Sequence, residues 1–442
     1  MVASLHTHPL RTVGAKIRCI ITFPLQVTRE IRETRDAPAP APEFPATEEQ
    51  ILELAGQVQA LRARMRQRYR VDGPENRALI REISIAKYSL LLTGNAFILG
   101  GAGLAASGAL GLFGSGALLA AGALAAGVGT AVATEFSHVE VHQDTKKRIS
   151  FTSPINTTDW RDVHNRRHHG IPNALNNFGK NADPNARVGK FYITHARLPD
   201  EPKPTYTDQV ANAFISVLCM TFTLELHHGA VHQSDKTARP VYNLHFATLR
   251  DYYESLRLPF YRIALHGLQE YGPWLGLAAI GLFENSGLFA ACATAAVFAS
   301  KRVASIILGL LIRVSHDGRG SVWKPFPEKH NAEYRLIHQM FATSNLRFTG
   351  ILSPLNRWMA GLAYQAYHHI DPAASHAALI EGSKELKIIA GIFGRKYGMP
   401  KELMYGEQTV PGDTVKIMIG TPLNIAKQSY VVYPDTDTSL KA

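Results

Sequence analysis

The residues that could do chemistry in this chain are three groups of histidines. The first is His138 and His142, in Ser-His-Val-Glu-Val-His. A spacing of four puts both imidazoles on one face of a helix. The second is His164, His168 and His169, in Asp-Val-His-Asn-Arg-Arg-His-His, and the third is Gln365, His368 and His369, in Tyr-Gln-Ala-Tyr-His-His. One i, i+4 pair says little. Two His-His pairs, each with a metal-capable residue three or four positions upstream, together with the first pair, form a pattern. Imidazole suits iron, copper, zinc and nickel. The seven histidines exceed what one four-coordinate zinc takes and fit two ions sharing a site. The zincin motif His-Glu-x-x-His is absent, because Glu140 stands third in its box. The carboxylate-rich ligand set of soluble di-iron bundles is not what these boxes offer.

Composition narrows the classes. Three cysteines, Cys19, Cys219 and Cys292, lie far apart, which argues against a disulfide scaffold or a cysteine-ligated zinc or iron–sulfur site. Charged residues are 19% of 442, too few for a charge-dominated disordered chain. Lys plus Arg is 47 against 36 acidic residues, a formal charge of +11. The basic residues flank apolar blocks and make no separate module, so nucleic acid is a poor fit.

The elements that must position the boxes are mostly apolar helices. Residues 1–46, with a Pro/Ala tract from Asp36 to Pro45, read as a disordered or linker terminus. Residues 47–70 form an amphipathic helix. Thr47 and Gln50 fit a capping box, and Ile51, Leu54, Val58, Leu61 and Met65 recur at spacings of three and four. It either packs on the body or lies on an anionic membrane surface. From Tyr88 to Phe136, Glu135 is the only charged residue in 49 positions. That is more than twice the ~20 residues that cross a bilayer, and it reads as a Gly/Ala-rich hairpin of two spans, about 88–109 and 112–135. Further spans are expected at about 208–228 and 286–314, with 260–284 interfacial. Boxes two and three can share one compartment only if an even number of spans separates them. This choice gives four spans. The basic loop Lys146–Lys203 and both basic terminal regions are then cytoplasmic. The same parity puts His227, His228 and His232, a second H-x-x-x-H, on the far side, away from the other boxes; were they ligands instead, this span assignment would be wrong.

The three boxes, in this order and after a membrane hairpin, resemble those of the integral-membrane fatty acid desaturase and hydroxylase superfamily. The resemblance covers about residues 80–400. Ser344-Asn345 and Asn356-Arg357-Trp358-Met359-Ala360-Gly361, upstream of box three, look like the approach to that box in acyl-lipid and acyl-CoA desaturases. The filling of box one (Val139-Glu140-Val141) and the Ile370-Asp371-Pro372 after box three depart from the usual pattern and leave substrate and regioselectivity open.

The resemblance implies an all-α fold, a small bundle of membrane helices under a cytosolic helical cap that holds a di-iron site. Amphipathic cytosolic helices would occupy 47–85, the desaturase domain 86–400, and a tail 401–442. It assigns as iron ligands His138, His142, His164, His168, His169, His368 and His369, and adds His316 at the end of the last span. Gln365 would be a weak or supporting ligand. His195 would support the site or contact the substrate head group, while His338, Gln339 and Asn345 would support the site. The implied activity is O2-dependent desaturation of an acyl chain carried by CoA, acyl carrier protein or an intact lipid. A hydroxylase or related oxygenase of the same superfamily is the alternative, and a non-catalytic membrane metal-binding or transport protein is the reading from another class. No haem or dinucleotide fingerprint is present, so electrons would come from a separate ferredoxin or cytochrome with its reductase. A bacterial inner membrane, with the site on its cytoplasmic side, is the expected location.

Overall fold

The computed structural model describes residues 46–143, 286–316 and 330–399. It also describes short stretches at 164–165, 168–170, 172, 187–188, 191–192, 405–410 and 412–413, and single positions 272, 276 and 279. The expected span 208–228, His195, His227, His228 and His232 lie outside the described residues.

The described residues are mostly helical. Helix α1, Glu48–Arg68, begins at the expected capping box: Thr47 Oγ1 accepts from Gln50 N at 3.3 Å, and Gln50 Oε1 accepts from Thr47 N at 3.0 Å. Its apolar stripe, Ile51, Leu54, Ala55, Val58, Leu61 and Met65, is buried against α5 (Asn331–Ala342) and α9 (His376–Tyr397). Burying each large side chain of that stripe stabilises the fold by about 1.5–3 kcal/mol. The stripe is in the protein core, which leaves the membrane-surface reading of α1 without an apolar face.

Helix α2, Pro74–Ser107, starts on Gly73-Pro74 and ends at Gly108 in the left-handed region (φ 69°). Gly108, with Gly111 (φ 47°), turns the chain sharply into α3, Gly111–Gln143, because only glycine takes such φ values at little cost. Helix α4, Gly287–His316, packs against both. These three helices are long and apolar enough to cross a membrane, over Pro74–Ser107, Phe113–Gln143 and Gly287–Ile312. Phe113, Leu92, Leu124 and Phe298 stand exposed on them, as lipid-facing side chains would. The 85/86 boundary expected between cap and membrane domain falls inside α2, which is one continuous helix. Helix propensity does not register where lipid begins.

Small residues let the three helices approach closely. A Cβ added at Gly94 would collide with the Ala126 backbone, and one at Gly122 would stand 2.8 Å from Gly94 O. One at Gly127 would lie 2.6 Å from Ser300 O of α4, whereas Gly100 has open space.

Beyond α5 the chain runs through β3 (Ser344–Phe348), a short 3₁₀ turn (Gly350–Leu352), α6 (Leu355–Trp358), α7 (Ala360–Ala363), α8 (Gln365–Ile370) and α9. The mostly helical architecture agrees with the all-α expectation, and two small two-stranded sheets are added to it. Strands β1 (Arg187–Val188) and β2 (Phe191–Tyr192) pair antiparallel. Strand β4 (Gly406–Val410) pairs parallel with β3, Ser344 opposite Gly406. Residues 406–410, expected in the tail, are thereby tied to the body. Runs of four or five residues carry too little periodicity to announce a strand.

Polar ties join elements far apart in the chain. Ser375 caps α9 by accepting from Ala378 N (3.1 Å) and donates to Tyr69 O (2.8 Å). Asn76, fully buried at the start of α2, donates to Val71 O and accepts from Ala377 N. Asp371, fully buried just after box three, takes both Arg66 and Arg62 from α1.

Gly94→Leu is expected to lower stability by about 1–3 kcal/mol through overpacking, whereas Gly100→Leu on the same helix leaves it unchanged or higher. Thermal unfolding of the two variants in detergent checks this; equal behaviour would mean that the α2–α3 contact is not close-packed.

Candidate metal centre

Each box sits at the end of a helix or in a tight turn. His138 and His142 occupy the last two turns of α3, and His316 is the last residue of α4. Gln365, His368 and His369 make up half of the six-residue α8. In box two, His169 N bonds to His164 O five residues back (3.0 Å), a π-type turn of the kind that gathers at functional sites.

These four segments meet. His138, His142, His164, His169 and His368 form one group and His168, His316 and His369 a second, each with its candidate ligand atoms within 4.8 Å of one another. The groups adjoin: the His169 and His369 rings stack at 4.3 Å, and His168 lies 4.5 Å from His316 and 4.9 Å from His369 between ring centroids. Both His-His dipeptides are split between the groups. Successive residues on a helix point about 100° apart, so one dipeptide can serve two ions. Seven of the eight histidines are almost fully buried.

The nitrogens are arranged as they would be around ions. His138 Nε2 lies 3.0 Å from His164 Nε2 and 3.2 Å from His142 Nε2, and His164 Nε2 lies 3.1 Å from His169 Nε2. Two ligands at about 2.1 Å from one ion stand about 3.0–3.4 Å apart for angles between right and tetrahedral. Hydrogen bonding alone does not account for the set. Each Nε2 holds either one proton or one lone pair, so the run His142–His138–His164–His169 cannot make three good bonds. Neither nitrogen of the buried His368 has a hydrogen-bond partner among the described residues. In the second group, Gln365 Nε2 stands 2.9 Å from His369 Nε2 and 3.2 Å from His316 Nε2, while its Oε1 is buried without a partner. A half-turn of the amide brings the oxygen to that corner as a fourth donor. The donor set, eight imidazoles and one amide, fits two transition-metal ions.

Burial, and then the neighbouring imidazoles, hold His169, His316, His368 and His369 well below the usual histidine range. They are neutral near pH 7, as metal ligation requires. The boxes are also supported from behind. His338 Nε2 donates to Pro172 O and Gln339 Nε2 to His169 O, both at 2.6 Å, so α5 holds the end of box two. Asn345 Oδ1 accepts from Ala366 N at 3.0 Å and fixes α8. Gln143 Nε2 donates to Ala374 O at 2.8 Å.

Glu135, which the box spacings do not include, also belongs to the site. Its Oε2 lies 2.9 Å from His138 Nδ1, and its Oε1 accepts from Leu362 N at 2.8 Å. The signal was present in the sequence: it is the lone charge in the apolar run, three residues before a box-one histidine.

No family model, curated protein or solved structure matches the chain. A reading of its function therefore rests on the residues and geometry of this site.

The depressed histidines set a pH response of the metal-free protein. In the unfolded chain they take up protons below about pH 6.5, whereas in the fold they resist. The unfolded state binds more protons there, so stability falls with acidification. Melting of the metal-free protein is expected to drop from pH 7.5 to pH 5, and less steeply in a His368→Gln, His369→Gln variant. A flat profile would contradict neutral burial.

Proposed function

We propose that this chain is a membrane fatty acyl desaturase of the histidine-box superfamily, introducing a cis double bond into an acyl chain with O2 and two electrons. The observation that carries the reading is the meeting of three boxes and His316 in two adjoining buried groups, at the ends of membrane-length helices. A transporter would be expected to hold its ionisable groups mid-span, whereas these imidazoles gather at helix ends.

The proposed fourth span is 208–228, and the proposed setting is a bacterial inner membrane. The cap of α1, α5 and α9 and the metal groups then lie on the cytoplasmic side. That side carries the basic residues of α1 and of the Lys146–Lys203 loop, in keeping with the positive-inside pattern.

His138, His142, His164, His169 and His368 would hold one iron, and His168, His316 and His369, with Gln365 as the weak donor, the other. When bound, the iron pair supplies the O2 activation and electron transfer needed to oxidise an unactivated methylene. The protein's part is placement and exclusion. Neutral imidazoles leave their lone pairs for the metal. Asn345, His338 and Gln339 keep boxes two and three from drifting. Buried packing around the groups keeps bulk water from them. The departures at Glu140 and Asp371 leave the chain length and the oxidised carbon to experiment. Electrons are proposed to come from a ferredoxin or cytochrome and its reductase, and the acyl group from CoA, acyl carrier protein or lipid.

The test is the fatty acid profile of a host expressing the chain with a ferredoxin system, beside a His168→Ala, His169→Ala control. A new unsaturated acid, absent from the control, is expected, together with about two irons per purified chain. A hydroxylated product would move the assignment to the sister oxygenases. Absence of bound iron would overturn the di-iron reading.

A further inference from the structure

Glu135 is a carboxylate inside a membrane-length helix with 1% of its surface exposed. Such a group is costly in an apolar setting, and where it occurs it marks function. A ligand set of imidazoles does not itself call for one. Both of its oxygens are engaged, Oε2 with His138 Nδ1 and Oε1 with the Leu362 N–H. The backbone of α7 is shaped to admit it. A Cβ at Gly361 would run into Glu135 Oε1 and would stand 2.7 Å from Val139 Cγ2.

We infer that Glu135 is the positioning residue of the first histidine group, orienting His138 toward the ion and linking that ring to the backbone that leads into box three. The inference rests on reading the two histidine groups as metal sites. As a carboxylate, Glu135 can only accept. His138 then carries its proton on Nδ1, and the lone pair on Nε2 points away from the carboxylate. Nε2 is the atom that stands within 3.0 and 3.2 Å of the His164 and His142 nitrogens. The same hydrogen bond makes the imidazole a stronger donor to a metal, the role that carboxylates behind ligating histidines play generally. The second oxygen has a separate effect. Leu362 lies three residues before Gln365, so the carboxylate ties box one to box three. His138 and His368, whose rings are 4.7 Å apart, cannot move independently.

The experiment is a cobalt(II) titration of the purified, metal-stripped full-length protein in detergent, followed by the ligand-field absorption bands. Wild type is expected to take two ions. A His316→Ala variant, which removes a ligand from the second group, assigns the bands. Glu135→Gln can offer its carbonyl to only one of the two donors and turns its NH2 against the other. It is expected to weaken cobalt binding at the first group roughly 10- to 100-fold and shift that group's bands, leaving the second group unchanged. Gly361→Ala keeps the carboxylate but displaces it, and is expected to give the same selective loss. Unchanged affinity and bands in Glu135→Gln would overturn the inference. So would equal loss at both groups in both variants, which would make Glu135 a packing residue. A wild-type protein that takes up no cobalt would remove the metal reading itself, and this inference with it.

Discussion

Eight imidazoles brought within a few ångströms of one another must all be held in place from outside. For His169, His316, His368 and His369, burial and then the neighbouring imidazoles disfavour the charged form, and a neutral ring makes no strong ion pair to fix its orientation. The rest of the described fold supplies that fixing. Box one is set by the last turns of a 33-residue helix. Box two hangs from two side chains of α5, and box three is clamped by Asn345 and by the buried Asp371 that Arg62 and Arg66 reach from α1. The ring nitrogens converge on two shared points, an arrangement that could hold a positive ion at each.

The two halves of the scaffold solve different solvent problems. In α2, α3 and α4, small residues replace the hydrophobic driving force that lipid removes, and close backbone approach at Gly94, Gly122 and Gly127 supplies dispersion contact instead. In the cap, α1, α5 and α9 close on an ordinary core in which Tyr334, Tyr367 and Phe393 are the largest fully buried side chains. Polar contacts join elements far apart in the chain: Ser375 and Asp371 tie the segment after box three to α1, and Asn76 ties the start of α2 to α9. The two histidine groups lie where these elements meet the ends of α3 and α4.

Much of this was legible in the sequence because it is local. Box membership follows from spacings of one to five residues. The apolar character of α2, α3 and α4 and the capping box of α1 follow from composition and periodicity within single segments. The same locality explains the failures. Strand β4 has five residues and its partner β3 lies about sixty positions earlier, so no window of the sequence contains the pair. The expected 85/86 boundary lies inside α2, a helix continuous through it, so helical pattern alone does not mark it.

What the sequence by itself determined is the inventory: three histidine boxes, membrane-length helices to carry them, and one charge, Glu135, in the apolar run. Tertiary structure alone decided the sorting. It divides His168 from His169 and His368 from His369 between two groups and brings His316 to join His168 and His369. It also sets the Glu135 carboxylate against both His138 and the Leu362 backbone. The physical reason is that coordination depends on where side chains from separate segments point in three dimensions. Spacing fixes direction only within one helix, and the packing of helices against one another fixes the rest.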